Sequence, residues 1–270
     1  MENSKIGWTD HTVNFWTGCK KVSEGCKYCY MYRDKERYKQ DPKTVIKAKK
    51  ETINKVLRTA KAGDKIFTCS WSDFFIEEAD EWRNEAWDII RANPQFIWQI
   101  LTKRPERIKE CLPSDWGEKG WKQVWLGTTC ENQETFDKRY PFIEPFFSEQ
   151  DDDACKNFIS FEPLLGAINL DRFYHVYRTE FGKEVDCELA LDWAIIGGES
   201  GNENGAYLYR PCEEEWIDDL IVRLTGDIPV FVKQLGTHIA KKRKLKDRHG
   251  TDHSEFPRWF QVKEFPNEYY

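Results

Sequence analysis

Seven short apolar runs recur along this chain, and nothing else in it constrains the fold as much. They occupy residues 13–16 (VNFW), 65–69 (KIFTC), 95–101 (QFIWQIL), 124–126 (VWL), 158–161 (FISF), 193–196 (WAII) and 230–232 (VFV). Each is rich in β-branched or aromatic residues, and none alternates apolar with polar. Such runs read as strands buried on both faces, as in a parallel sheet. The stretches between them read as helices. Residues 81–92 carry Trp82, Ala86, Ile89 and Ile90 at helical spacing and stop at Asn93-Pro94. Residues 213–224 place Trp216, Leu220, Ile221 and Leu224 on one face and stop at Gly226. Residues 28–38 form a third helix. Strand–helix alternation predicts βαβ units. About seven of them predict an α/β fold, a partial or complete (β/α) barrel with parallel strands. An open doubly wound sheet is the alternative.

The 270 residues, 40% hydrophobic and 15% aromatic, are enough for one large core. Residues 1–240 read as a single barrel domain with a cysteine loop near its N-terminus, and 241–270 as a basic C-terminal extension packed on or beside it. Residues 147–156 read as an exposed acidic loop and 170–189 as an insertion. The net charge of −6 argues against a molecule that binds polyanions over its whole surface. Nine cysteines, an odd number and mostly scattered, do not form a secreted disulfide framework. With no signal peptide and no apolar run of about 18 residues, the expectation is a cytoplasmic protein without a membrane span.

Polar residues follow the runs. Ser70 and Asp73 follow the second, Lys103 and Arg104 the third, Glu131 and Asn132 the fourth, Glu162 the fifth, Gly197-Gly198-Glu199 the sixth, and Lys233-Gln234 the seventh. In α/β barrels the site lies at the carboxyl ends of the strands. Loops are polar in any protein, so it is the repetition at six strand ends that points to a site.

Cys19, Cys26 and Cys29 lie within eleven residues at the same end. Three thiolates holding a four-iron cluster leave one iron without a protein ligand, free to bind a small molecule. The alternative is a structural zinc site completed by His11 or a non-adjacent cysteine, although zinc motifs usually bring two close ligand pairs and only Cys26 and Cys29 form one. Lys103 and Arg104 would bind a carboxylate or phosphate, or make structural salt bridges. Glu162 is too costly to bury unpaired and would pair with Lys103, Arg104 or Lys233.

The cysteine spacing resembles the cluster loop of radical S-adenosylmethionine (SAM) enzymes, with Tyr28 in the aromatic place before the third cysteine. The first gap is six residues where those enzymes commonly have three. More closely, the chain resembles a phage-associated family of three-cysteine-motif proteins. The marks are Gly7-Trp8-Thr9, Trp16-Thr17-Gly18-Cys19, Ser23-Glu24-Gly25-Cys26, Leu101 through Pro105, Phe161 through Gly166, Ile195 through Gly201, and Phe231-Val232-Lys233-Gln234. The Thr-Lys-Arg-Pro and Glu-Pro-Leu-Leu segments are similar to those of DNA photoproduct lyases of the radical SAM class.

The resemblance implies a [4Fe-4S] cluster on Cys19, Cys26 and Cys29, with SAM on the fourth iron, cleaved reductively to start hydrogen abstraction. An electron donor such as flavodoxin or ferredoxin is implied, and a nucleic acid or nucleotide is the implied substrate. Tyr28 would pack on the adenine of SAM or else serve the core. Ser70 and Asp73 would meet its methionine end, and Glu131 and Asn132 its ribose. Lys103, Arg104, Glu162, Glu199 and Lys233 would line the substrate side. The Gly-Gly-Glu segment follows the sixth strand rather than the second, so the amino-group role it has in those enzymes is not carried over. Two competing expectations remain: a zinc-stabilised nucleic-acid-binding module without catalysis, and a cluster protein that uses SAM only as methyl donor or signal. The basic run 241–248 would either touch a nucleic acid backbone or be solvated surface. Twelve tryptophans include candidates for base stacking, but Trp82, Trp98, Trp125 and Trp193 sit in core patterns. His175, His238, His249 and His253 show no ligand spacing.

Overall fold

The computed structural model describes residues 4–148, 151–171, 176–178, 184–186 and 189–266. In chain order the strands are β1 (His11–Val13), β2 (Trp16–Thr17), β3 (Ile46–Lys47), β4 (Lys65–Thr68), β5 (Ile97–Thr102), β6 (Val124–Thr129), β7 (Lys156–Phe161), β8 (Val176–Arg178), β9 (Glu184–Asp186), β10 (Ala194–Gly197) and β11 (Val230–Gln234). The helices are α1 (Tyr30–Arg37), α2 (Lys50–Thr59), α3 (Asp80–Arg91), α4 (Ile108–Cys111), α5 (Gln133–Ile143), α6 (Glu214–Leu224) and α7 (Gly236–Lys242).

Seven strands form one parallel sheet in the order β1-β4-β5-β6-β7-β10-β11. That order never reverses. A sheet wound in one direction puts its crossover helices on one face and curls away from them, whereas a doubly wound sheet reverses at a switch point. The result is a half-barrel, an α/β partial barrel. Alternate strand residues sort into two cores. Ile66, Trp98, Ile100, Leu126, Ile159, Ile196 and Val232 pack under the helices. Phe67, Trp125, Phe158, Ile195 and Phe231 fill the concave side with Trp8 and Trp193. This aromatic plug sits low in the barrel, so the carboxyl ends of the strands are left to polar residues.

Six of the seven apolar runs become strands of this sheet, and the first contributes only Val13. The first is displaced: His11–Val13 joins β4, while Trp16–Thr17 pairs antiparallel with Ile46–Lys47. Trp16 turns away from the sheet because its indole N–H donates to the Asp73 carbonyl. Within 170–189, β8 and β9 form an antiparallel hairpin; His175 lies outside the described residues. Residues 262–265 run antiparallel along the outer edge of β11, the Val232 N–H donating to Val262 and the Glu264 N–H to Val230. That backbone covers an edge otherwise open to another chain. Trp98, Trp125 and Trp193 are core residues. No helix among the described residues is long and apolar enough to cross a membrane.

Candidate functional site

The loop from Gly18 to Cys29 lies across the carboxyl ends of the sheet, and each nearby strand end holds it by a separate contact. Beyond β4, the Gly18 N–H donates to the Trp71 carbonyl and the Ser72 hydroxyl to the Gly18 carbonyl. Beyond β5, Arg104 donates to the Lys20 carbonyl at 2.9 Å. Beyond β6, the Glu131 carboxylate accepts from the Ser23 hydroxyl at 2.6 Å. Beyond β10, Arg210 donates to the Glu24 carbonyl at 2.9 Å. Two glycines make the fit. Gly18 has φ of +101°, and a Cβ there would run into the Thr44 carbonyl; a Cβ on Gly25 would run into the Glu131 carboxylate.

All three thiols are half-buried and unbridged. Burial pushes the Cys19 thiol up to about 12, with Asp73 adding to the rise and Arg104, whose Nη1 is 3.9 Å from its sulfur, opposing it. Burial also pushes Cys29 up, against the Met31 and Tyr32 N–H groups at the start of α1 and, more weakly, Lys103. The nearness of Cys26 adds a little to the rise at both Cys19 and Cys29. Among the described residues no three His, Cys, Asp or Glu side chains are drawn into a ligand set. The loop therefore gathers the thiols at the barrel mouth without closing them on one point.

The strand-end residues form four charged groups. Asp73, buried, accepts from the Thr102 hydroxyl at 2.7 Å, the Lys103 N–H at 2.9 Å and Arg104 at 3.1 Å. It thereby fixes the cation beside Cys19. Glu131, 1% exposed, meets Arg139 at 2.8 Å and Lys103 at 3.5 Å. Burial alone would raise its carboxyl; Lys103 and Arg139 outweigh that and hold it below its ordinary value. Glu162 pairs with Lys233, one of the three partners the sequence offered, through both oxygens at 2.6 and 2.8 Å. Glu199 accepts from the Arg210 guanidinium through both oxygens, at 2.5 and 2.8 Å. Arg210 in turn stands 5.4 Å over the Tyr28 ring, which also has Lys27 at 5.4 Å. Asn132 caps α5, its side chain accepting from the Thr135 N–H at 3.0 Å. The Ser70 carbonyl accepts from the Tyr30 hydroxyl, and its own hydroxyl meets Asn14.

Ser23, Arg139 and Arg210 were not legible as site residues. Ser23 could have drawn notice as the only hydroxyl between the first two cysteines. Arg139 lies inside a helix pattern and Arg210 in a loop with no motif. His11 is placed away from the thiols: it starts β1 and binds Asp64, which precedes β4, at 2.9 Å, so it belongs to the amino end of the sheet. A zinc site completed by His11 is thereby excluded. The described clefts lie elsewhere as well, one between Lys119 and Phe147 and one between Trp16 and α3.

The family described as "Protein of unknown function (DUF5131)" matches residues 3–258. No curated protein and no solved structure matches the chain.

Proposed function

The chain belongs to the DUF5131 family, and we propose that it is an iron–sulfur enzyme of radical SAM type. The observation that carries this reading is a three-cysteine loop pinned over the strand ends of a parallel half-barrel, with Arg104 and Lys103 beside the sulfurs. The donor set suits a [4Fe-4S] cluster: three thiols, and nearby carboxylates already committed to Arg104, Arg139, Lys233 and Arg210. Three thiolates add three negative charges to a half-buried loop, and the two cations offset part of them. Cys19, Cys26 and Cys29 would hold the cluster, which would supply one-electron reduction of SAM at the iron without a protein ligand.

The protein's own residues do the rest. Arg104, fixed by Asp73, keeps a positive charge against Cys19. Ser23, fixed by Glu131, keeps the segment carrying Cys26 over the barrel. Tyr28 offers a ring edge between Lys27 and Arg210. Lys233 and Glu162 set a two-oxygen ion pair at the mouth. The aromatic plug excludes water from below. Flavodoxin or ferredoxin would supply the electron.

Anaerobic purification tests the proposal. The expected protein is brown, carries about four irons per chain, and loses them in Cys19→Ala, Cys26→Ala and Cys29→Ala. With SAM and dithionite it releases 5′-deoxyadenosine. A colourless protein with one zinc, or iron with no 5′-deoxyadenosine under those conditions, overturns it.

A further inference from the structure

Charge is partitioned sharply in this chain. Residues 18–50 hold eleven Lys and Arg against four Asp and Glu, a formal charge of +7; the whole chain is −6, so the remainder carries −13. The basic part is contiguous in space as well as in sequence. The Cys19 N–H donates to the Pro42 carbonyl, Lys35 donates to the Thr17 hydroxyl at 3.1 Å, and β3 pairs with β2. The segment 38–47 is therefore folded against the start of the cysteine loop. Lys21, Lys27, Arg37, Lys39, Lys43 and Lys49 are exposed and form no ion pair among the described residues. Tyr30 and Tyr38, 43% and 65% exposed, lie among them.

The basic run 241–248, which the sequence alone singles out, is different. Lys241, Lys242 and Arg243 are ion-paired with Glu203, Glu213 and Glu214. Among the described residues three of its six cations are ion-paired, against four of eleven in the 18–50 belt, so the belt holds the larger unpaired charge. Unanswered cations interleaved with exposed aromatic rings suit a flexible polyanion whose bases can stack. An acidic protein surface would use the cations and leave the rings idle.

We infer that the belt from Lys20 to Lys50 binds a single nucleic acid strand and leads it to the barrel mouth. This deepens the proposed enzyme by naming its substrate class; it rests on that reading for the chemistry but not for the binding. About four phosphate contacts would make affinity for a single strand fall about 50-fold between about 50 and about 200 mM salt.

The test uses fluorescence anisotropy of labelled oligonucleotides of about twenty residues, as single-stranded DNA, single-stranded RNA and duplex DNA. Binding is measured to the full chain and to a chain with Cys19, Cys26 and Cys29 all replaced by Ala. Micromolar binding of a single strand that persists in the triple variant supports the belt even if no cluster is found. Whether DNA or RNA binds more tightly identifies the strand. Lys39→Glu with Lys43→Glu and Lys49→Glu should weaken binding at least tenfold and flatten the salt dependence. Tyr38→Ala should weaken it about fivefold or more with the salt dependence unchanged. Lys241→Glu with Lys242→Glu should leave it within twofold. The inference is overturned if no oligonucleotide binds at low salt, if the 241–242 pair matters as much as the 39–43–49 set, or if poly-glutamate binds the belt and oligonucleotides do not.

Discussion

Glu131 shows how a single side chain can decide where the three-cysteine loop sits. Its carboxylate is buried, neutralised by Arg139 and Lys103, and presented to Ser23 and to the bare backbone of Gly25. The two ends of this contact can be separated by mutation. Ser23→Ala removes the latch and leaves the buried ion pair, so it should cost about 1 kcal/mol of stability. Glu131→Gln leaves Arg139 buried without its carboxylate and should cost about 3 kcal/mol or more. Both should loosen the same loop: in metal-free protein, iodoacetamide should alkylate Cys26 and Cys29 faster in either variant than in the parent. Alkylation at the parental rate would mean that the loop is held by other contacts. In protein loaded with iron, each variant should release the metal to a chelator sooner.

At the scale of elements, glycines mark where two strand ends meet. Gly198 follows β10, and a Cβ there would collide with the backbone carbonyl of Leu235, between β11 and α7. Gly198→Ala should therefore cost about 1–3 kcal/mol, because the obstacle is backbone and cannot rotate aside. Gly63→Ala is the control. Gly63 has φ of +88° with nothing near its missing Cβ, so only the conformational cost remains, about 1–2 kcal/mol. Urea unfolding of the two variants checks this; a loss well below about 1 kcal/mol at Gly198 would mean that the strand ends adjust freely. The same contrast explains what was legible in sequence. The strands were readable because Ile66, Phe67, Trp98, Trp125, Phe158 and Ile195 are buried on one face or the other, which leaves a continuous apolar run. Helix α6 was readable from Trp216, Leu220, Ile221 and Leu224, although its fully buried face carries Ile217 and leaves Trp216 at the margin. Helix α5 was not, because Pro141 lies within it and its capping Asn132 looks like a ligand residue until its contact with Thr135 is seen. The cysteines and the strand-end charges were legible as a group. Their partners were not, since Ser23 and Glu131 are 108 residues apart and Glu24 and Arg210 are 186 apart.

The whole molecule joins a dry lower half to a charged mouth. The plug around Trp8, Trp193 and Phe231 is extended by Phe265, whose ring lies 5.4 Å from Trp193 and 5.3 Å from Phe231 and carries Lys65 at 4.6 Å on its face. The segment at 262–265 thus ties the last strand of the sheet to the region of β4. Around this core lie thiols that never meet water. Burial pushes Cys69 and Cys212 up to about 12, and it pushes Cys130 and Cys155 up as well. In the unfolded chain each would ionise near its ordinary value of 9.0. The folded protein then keeps protons that the unfolded chain gives up. Stability is fully present below about pH 9 and falls as pH rises beyond it, since there the unfolded state binds fewer protons. Each such thiol contributes a loss of about 1.4 kcal/mol per pH unit over that range. Under reducing conditions the urea midpoint should hold steady from about pH 7 to about pH 8 and drop steeply between about pH 9 and about pH 10.5. Replacing Cys130 and Cys155 together with Ala should lower stability at neutral pH, because small cavities are left, yet make the alkaline decline about a third less steep, since Cys19, Cys29, Cys69, Cys111 and Cys212 keep raised thiols. An unchanged slope in that double variant would place the source of alkaline sensitivity outside the buried thiols.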